Sequence, residues 1–168
     1  MNISAYVLEE FSKDYPDVTH IYAKSDNAGC YHGNNILENL YKLCKRYGIT
    51  LVRYDYNEPC KGKDQCDRES AGAKRVLSSY VESGHDILTA DDVYQGLHYG
   101  SVLRNTKVSV LEINSEESSL NGPNITGIHS YHSAVFCEDK MKLYRYYNIG
   151  SGKSVTYSST STLSKVTQ

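Results

Sequence analysis

The chain lacks several features that would place it quickly in a class of proteins. It has no tryptophan and two phenylalanines, so its sixteen tyrosines supply almost all of the aromatic rings. Because tyrosine keeps a polar hydroxyl, many of these rings are expected at the edge of the core, half exposed. No apolar run is long enough to cross a bilayer, and the first ten residues form an amphipathic helical pattern instead of a secretory signal. We therefore expect an intracellular protein without a membrane span.

An excess of positive charge is also absent. The chain has 18 lysines and arginines against 20 aspartates and glutamates, a net charge of −2. A nucleic-acid-binding protein that acts alone is usually basic, so the overall charge argues against that class, although basic residues cluster locally. A length of 168 residues suits one domain with enough chain to bury a core.

The five cysteines are odd in number and form no Cys-x-x-Cys pair; they are Cys30, Cys44, Cys60, Cys66 and Cys137. In an intracellular chain this pattern favours free thiols. A zinc site built from Cys30, His32, Cys60 and Cys66 is the alternative, but no ligand pair has the usual zinc-ribbon spacing.

Apolar periodicity predicts the elements of the fold. Helices are expected over residues 3–14, from a cap at Asn34 or Asn35 to Tyr47, over about 65–82, and from a Thr89 cap with Asp92 to about Tyr99. Strands are expected over residues 18–23, 49–54, 108–113, 131–136 and 141–147. The first two strands and the helix between them form a βαβ unit, so those strands should be parallel neighbours.

These elements predict an α/β fold in three parts. Residues 1–100 form a partial α/β core, and residues 101–153 form a small β-rich extension packed on that core. Residues 154–168 are rich in serine and threonine, and we expect a disordered tail there.

Two acidic residues stand at the ends of predicted elements. Asp26 follows the first strand, and Asp67 opens the long helix that begins near residue 65. Carboxylates placed in this way converge and can share Mg²⁺ or Mn²⁺. Asp64 competes with Asp67 for the second position, and Glu58 is a more distant competitor.

The turn Ser25-Asp26-Asn27-Ala28-Gly29, followed by a helix, a strand, Gly62 and an acidic helix start, resembles the second half of the DDE transposase and integrase core. The strings Cys66-Asp67-Arg68 and Gly84-His85-Asp86-Ile87-Leu88-Thr89-Ala90 also resemble a group of uncharacterised, transposon-derived animal proteins. The resemblance implies a ribonuclease H-like fold, DNA as substrate and a nuclear location. It also implies that Asp26 and Asp67 are catalytic metal ligands, with Asp64 as an alternative ligand.

The chain departs from that family in two ways. The later acid is Asp where integrases use Glu, and the family's first carboxylate lies on an earlier strand that these 168 residues do not supply. We therefore expect a partial core, from a fragment or a decayed element, that does not cleave DNA by itself. The alternative function is a non-catalytic module that binds nucleic acid or protein.

Basic residues surround the acids and predict contacts to a phosphate backbone. His32, Lys61, Lys63, Arg68 and Lys74 are the expected substrate-binding residues, with Arg75 beside them. A second basic cluster comprises Lys42, Lys45, Arg46 and Arg53. The alternative for both clusters is a solvated surface without a ligand.

Each candidate site residue also has a structural interpretation. Asp26 can close an Asx turn, in which its carboxylate accepts a hydrogen bond from a main-chain N–H two residues on. Asp67 can complement the dipole at the start of its helix. His32 can be a half-buried structural residue.

Overall fold

The computed structural model describes residues 3–26, 28, 31, 33–57, 65–100, 103, 106–112 and 125–158. The chain separates into two units. The first comprises residues 1–59 and 114–168 and is called the sheet unit below; the second comprises residues 60–113 and is called the helical unit. The boundary expected near residue 100 therefore falls inside the helical unit.

Helices and strands alternate at the start of the sheet unit, and a short 3₁₀ helix (Ile128–Ser130) followed by three strands completes it. The elements are α1 (Ile3–Asp14), β1 (His20–Ser25), α2 (Asn34–Arg46), β2 (Thr50–Tyr56), β3 (Ser133–Phe136), β4 (Lys140–Tyr144) and β5 (Lys153–Thr156). The helical unit contains α3 (Gln65–Glu82) and α4 (Ala90–Leu97). The expected bounds of α1 and α3 are confirmed. No helix in the described part of the chain is long and apolar enough to cross a membrane.

The five strands form one mixed sheet in the order β1-β2-β3-β4-β5. β1 and β2 are parallel, which confirms the predicted βαβ unit. β3, β4 and β5 continue the same sheet as antiparallel neighbours, so the predicted β-rich extension shares its sheet with the α/β part. The coarse expectation of an α/β fold is thus confirmed.

The two faces of the sheet differ because successive strand residues point to opposite sides. The inner face supplies buried side chains to the core that includes Leu37 and Cys44 of α2; those side chains are Leu51, Tyr54, Tyr56, Ala134, Phe136, Met141 and Leu143. Burial raises the pKa of the Cys44 thiol to about 11. The opposite face is called the outer face below. The strand pairing places on it the side chains of Tyr22, Lys24, Arg53, Asp55, Ser133, Val135, Lys140, Lys142 and Tyr144.

The expected strand over residues 108–113 is not present in its described part, residues 108–112. Alternating valines are typical of a half-buried strand, but a strand also needs a neighbour to pair with. Here Val108, Val110 and Leu111 line an apolar pocket of about 230 Å³ with Ala90, Val93 and Tyr94. The alternation therefore reflects packing beside α4, and the predicted strand is wrong.

β5 lies at the start of the segment that we expected to be disordered. Its backbone pairs with β4, with Val155 opposite Met141. The ring of Tyr157 then stacks on Tyr41 of α2, with their centroids 4.7 Å apart. A polar composition predicted disorder here, but main-chain pairing and one aromatic contact do not need an apolar pattern. Residues 159–168 lie outside the described residues.

A buried carboxylate ties the end of the sheet unit to α2. Glu38 has no exposed surface, and its Oε1 accepts hydrogen bonds from the main-chain N–H and the hydroxyl of Ser158, both at 2.9 Å. Lys42, one helical turn further on, forms an ion pair with the same carboxylate. Because a buried charge is costly unless it is paired and hydrogen-bonded, these partners make the position of Glu38 tolerable.

The helical unit depends on a cap and on close packing of its two helices. Thr89 caps α4: its Oγ1 accepts from the Asp92 N–H, and Asp92 Oδ2 accepts from the Thr89 N–H at 2.8 Å. The predicted capping box with Asp in place of Glu is thereby confirmed. A Cβ on Gly96 would lie 2.8 Å from Leu77 and 3.0 Å from Tyr80, so a glycine lets α4 approach α3.

Candidate functional site

Asp26 directly follows β1, at the carboxyl end of the parallel pair, as the sequence predicted. The residue is exposed, and its Oδ1 accepts a hydrogen bond from the Ala28 N–H at 3.2 Å. The Ser25 hydroxyl donates to the carbonyl of Asp26 at 2.7 Å. This is the Asx turn that we gave as the structural interpretation, and it leaves the carboxylate at an edge where ligands commonly bind.

Asp67 is exposed in the first turn of α3. A carboxylate there complements the helix dipole, as the structural interpretation expected. Asp26 thus belongs to the sheet unit and Asp67 to the helical unit, and their pairing around a metal stays a prediction. Several other predicted site residues lie outside the described residues, namely His32, Glu58, Lys61, Lys63 and Asp64.

In the described ranges, no three histidine, cysteine, aspartate or glutamate side chains come together as a group that could hold a metal ion. The proposed zinc alternative includes Cys30 and Cys60, which are outside those ranges, whereas Cys66 is exposed in the first turn of α3.

The basic residues predicted on α3 are exposed, but the helix has no excess of positive charge. Arg68, Lys74 and Arg75 share it with three acids, Asp67, Glu69 and Glu82, so three positive charges oppose three negative ones. The second basic cluster is divided by the fold. Lys42, Lys45 and Arg46 belong to α2, whereas Arg53 lies on the outer face of the sheet.

Arg53 is the centre of a polar and aromatic cluster on the outer face. Its Nε lies 2.7 Å from Asp55 Oδ2. Its guanidinium carbon lies 4.0 Å from the ring centroid of Tyr147 and 5.5 Å from that of Tyr22, which are cation–π distances. Desolvation lowers the pKa of Arg53, but Asp55 and Tyr147 act in the opposite direction, and the pKa ends above its ordinary value. The charged guanidinium therefore contacts both rings and a carboxylate.

Asp55 has both carboxylate oxygens engaged. Oδ2 faces Arg53, and Oδ1 accepts a hydrogen bond from the Ser133 hydroxyl at 2.7 Å. In this arrangement the carboxylate orients Arg53 and joins β2 to β3.

Positive charge prevails on the outer face. The described strand residues there include four cations, Lys24, Arg53, Lys140 and Lys142, against the single carboxylate of Asp55. Tyrosines accompany them and are open to solvent: Tyr22 is 67% exposed, Tyr146 61% and Tyr147 54%. The rings therefore present their surfaces to solvent beside the cations.

The segment from 145 to 152 lies against one end of this face because a glycine allows close approach. Gly152 has φ +66, and a Cβ there would lie 2.8 Å from the Tyr144 ring. Next to it is a shallow pocket of about 220 Å³, lined by Asp55, Tyr56, His132, Ser133, Arg145, Tyr146 and Tyr147. The rings of His132 and Tyr146 are nearly parallel, with an angle of 13° and centroids 6.4 Å apart.

His132, one of the residues that line this pocket, has a ring nitrogen without a hydrogen-bond partner among the residues that the structure describes. This nitrogen, Nδ1, is buried. A buried nitrogen without a partner is costly, and a bound polar group would remove that cost.

Sequence reasoning missed most of this site. It named Arg53 as a basic residue, but not Tyr22, His132, Tyr146 or Tyr147. The available signal was period two: Tyr22 and Lys24 share one face of β1, and Arg53 and Asp55 share the same face of β2. Both strands were predicted, but with ends at residues 23 and 54, so Lys24 and Asp55 lay just beyond them. The folding of 145–147 onto the same face could not be deduced from a local pattern.

Comparison with known proteins places the chain in one family. A family model described as "Domain of unknown function (DUF8701)" matches residues 1–147. The chain belongs to this family. The DUF8701 match includes every residue of the pocket and of the Arg53 cluster, and it ends before β5. No curated protein and no solved structure matches the chain.

Proposed function

We propose that this chain is a nucleic-acid-binding domain, derived from a transposase or integrase core of the ribonuclease H-like type, with the outer face of its sheet as the binding surface. One observation carries the proposal: four cations share that face with a single carboxylate and with exposed tyrosines. Phosphate backbones bind to clustered lysine and arginine, and the affinity falls as salt rises.

The surrounding rings favour this proposal over a solvated basic surface. Lysines on a solvated face need no aromatic neighbours, whereas nucleic-acid surfaces commonly combine cations with stacking rings. Arg53 is fixed by Asp55 and by two tyrosines, so little side-chain freedom would be lost when it meets a phosphate or a base.

Titration of fluorescently labelled DNA, followed by anisotropy, tests the proposal. We expect weak binding without sequence preference that weakens steeply between low and physiological salt. The double variant Lys24→Glu/Lys142→Glu should lose most of this affinity. Lys45→Glu is the control, since Lys45 is an exposed lysine of α2 and not of the outer face. Lys74→Glu measures the predicted contribution of α3.

Two results would contradict the proposal. One is the absence of binding at low salt. The other is an equal loss per reversed charge in the Lys45→Glu control, which would mean that net charge alone, and no particular surface, attracts DNA.

A second candidate function is metal-dependent DNA strand cleavage, the reaction implied by the family resemblance. It is favoured by the position of Asp26 at the carboxyl end of β1, beside the parallel strand β2. Asp67, or Asp64, would complete a site for Mg²⁺ or Mn²⁺. Because phosphoryl transfer in that superfamily uses three carboxylates, we expect no cleavage by these 168 residues. A longer chain with an upstream aspartate strand should cleave.

Plasmid nicking with Mg²⁺ and Mn²⁺ measures this second candidate. In a cleaving form, Asp26→Asn and Asp67→Asn should each abolish activity. Asp26→Asn is informative because an asparagine oxygen can still close the Asx turn, so the fold is kept while the metal-binding charge is removed. Cleavage by the 168-residue chain that persists in Asp26→Asn would exclude Asp26 as a ligand.

A further inference from the structure

The pocket beside the outer face has the features of a site for a flat, polar ring. Tyr146 is 61% exposed and nearly parallel to His132. An exposed, oriented aromatic ring is a stacking surface, and every nucleobase has a π-face that can stack on it. The pocket thus offers stacking without requiring a particular base.

The polar groups of the pocket complement the edge of a base. The buried Nδ1 of His132 has no partner among the described residues, and a neutral imidazole nitrogen donates or accepts according to its tautomer. The edges of bases carry both donors and acceptors. Arg145 is exposed at the rim, where its guanidinium can meet the phosphate that accompanies the base.

The negative charge in the pocket is compensated by neighbouring groups and should not repel a nucleic acid. Asp55 is the one carboxylate that lines it, and both of its oxygens are engaged by Arg53 and Ser133. Tyr147 also lines the pocket, and its ring and that of Tyr22 on β1 both lie within cation–π distance of the Arg53 guanidinium. A neighbouring base could therefore stack next to the first.

We propose that this pocket binds an unpaired nucleobase between or upon the rings of Tyr146 and His132, so that the preferred ligand of the outer face is single-stranded nucleic acid. This inference rests on the proposed function and adds the class of ligand to it. Bases in a duplex are paired and stacked on each other, so their faces are closed to side chains, whereas a single strand exposes them.

Anisotropy with three oligonucleotides of equal length tests the inference at one low salt concentration. They are a single strand, its duplex, and a single strand with abasic sites, which keeps the phosphates and removes the bases. We expect the single strand to bind best and the abasic strand to bind about tenfold less tightly than the intact one.

Variants of the pocket locate the effect. Tyr146→Ala should weaken single-strand binding about tenfold and weaken duplex binding much less. Tyr146→Phe should restore single-strand binding, because the ring and not the hydroxyl stacks. His132→Phe keeps a ring and removes the nitrogen, so it should retain stacking and alter the preference among bases. Tyr15→Ala, at a tyrosine of similar exposure, 56%, that follows α1, is the control and should change nothing.

The outcomes separate this inference from the proposed function. If single strand, duplex and abasic strand bind alike and Tyr146→Ala has no effect, the base pocket is overturned while charge-driven binding stands. If no oligonucleotide binds at low salt, both proposals are overturned. If Tyr146→Ala weakens single-strand binding far more than duplex binding and Tyr146→Phe restores it, the inference is supported.

Discussion

The sheet unit and the helical unit are stabilised in different ways. All of the buried apolar side chains in the described residues belong to the sheet unit, where helices α1 and α2 and five strands contribute to one core. The 18 residues of α3 include no buried side chain, and α4 buries Gly96 alone. The sheet unit thus depends on a shared core, and the helical unit on local contacts.

Three local contacts stabilise the helical unit besides the apolar packing of residues 108–111 beside α4. They are the capping box at Thr89, the close approach at Gly96, and the stacked rings of Tyr80 and His85, whose centroids lie 4.3 Å apart. Isolated helices of this length are marginal in water, so a unit without a buried core should open more readily than one with a core. The predictions below test this contrast.

The largest effect is expected from Leu51→Ala in the sheet unit. Leu51 is fully buried, so the loss of its side chain should cost about 3 kcal/mol of unfolding free energy through lost burial and a cavity. Val81→Ala in α3 should cost under about 0.5 kcal/mol, since Val81 is 50% exposed. Urea denaturation measures both. Equal costs would remove the contrast between the two units.

A smaller effect is expected from Ser158→Ala, which tests whether the segment after β5 belongs to the sheet unit. The substitution removes one hydroxyl donor from the buried Glu38 carboxylate and should destabilise by about 2 kcal/mol. Ser154→Ala, at an exposed position of β5, is the matched control and should be nearly neutral. The same cost in both variants would show that the Glu38 contact contributes nothing.

Two glycine substitutions in the helical unit should have opposite effects on the free energy of unfolding. In Gly96→Ala the new methyl would meet Leu77 at 2.8 Å, so overpacking should outweigh helix propensity and destabilise by about 1 kcal/mol. In Gly72→Ala the nearest atom, on Leu103, lies at 3.6 Å, an ordinary contact. That variant should gain about 0.5–1 kcal/mol from helix propensity. Circular dichroism at 222 nm during thermal unfolding measures both, and stabilisation by Gly96→Ala would show that the helices approach less closely.

The smallest effect is expected at the cap of α4. Thr89→Ala should cost about 0.5–1 kcal/mol by removing one side of the capping box. The hydrogen bond from the Thr89 side chain, together with two main-chain N–H groups, lowers the pKa of Asp92 from its ordinary value of 3.8.

Because the pKa of Asp92 is lower in the folded state, its carboxylate contributes to stability above pH 3.8. That contribution is lost as the pH falls through the pKa of the folded state. The stability difference between the wild type and Asp92→Asn should therefore shrink below about pH 4, as measured by urea denaturation across pH. A difference that stays constant down to pH 2 would argue against a role for the charge.

The elements with strong local patterns were predictable. α1 and α3 have the bounds that apolar periodicity indicated, and the strand–helix–strand order predicted the parallel pairing of β1 and β2. Thr89 and Asp92 are three residues apart, so their capping box is visible in the sequence. All of these features depend on residues close together in the chain.

The candidate site was predictable only in part. Asp26 was placed correctly at the end of β1, and the Asx turn was one of its two interpretations. The Arg53 cluster joins β1, β2, β3 and the segment after β4, so no single stretch of sequence contains it. Lys74 and Arg68 looked like a basic cluster along the chain, but three acids on the same helix balance them.

The sequence by itself determined which segments are helices, which early strands pair, and where Asp26 and the α4 cap lie, because periodicity and capping act within a few residues. Only the tertiary structure decided that β3, β4 and β5 extend the first sheet, that Ser158 binds Glu38, and that residues 108–112 form no strand. It also decided that Tyr22, Arg53 and Tyr147 stack together. The physical reason is that strand pairing, charge compensation and stacking join residues far apart in the chain, and a local pattern carries no information about its partner.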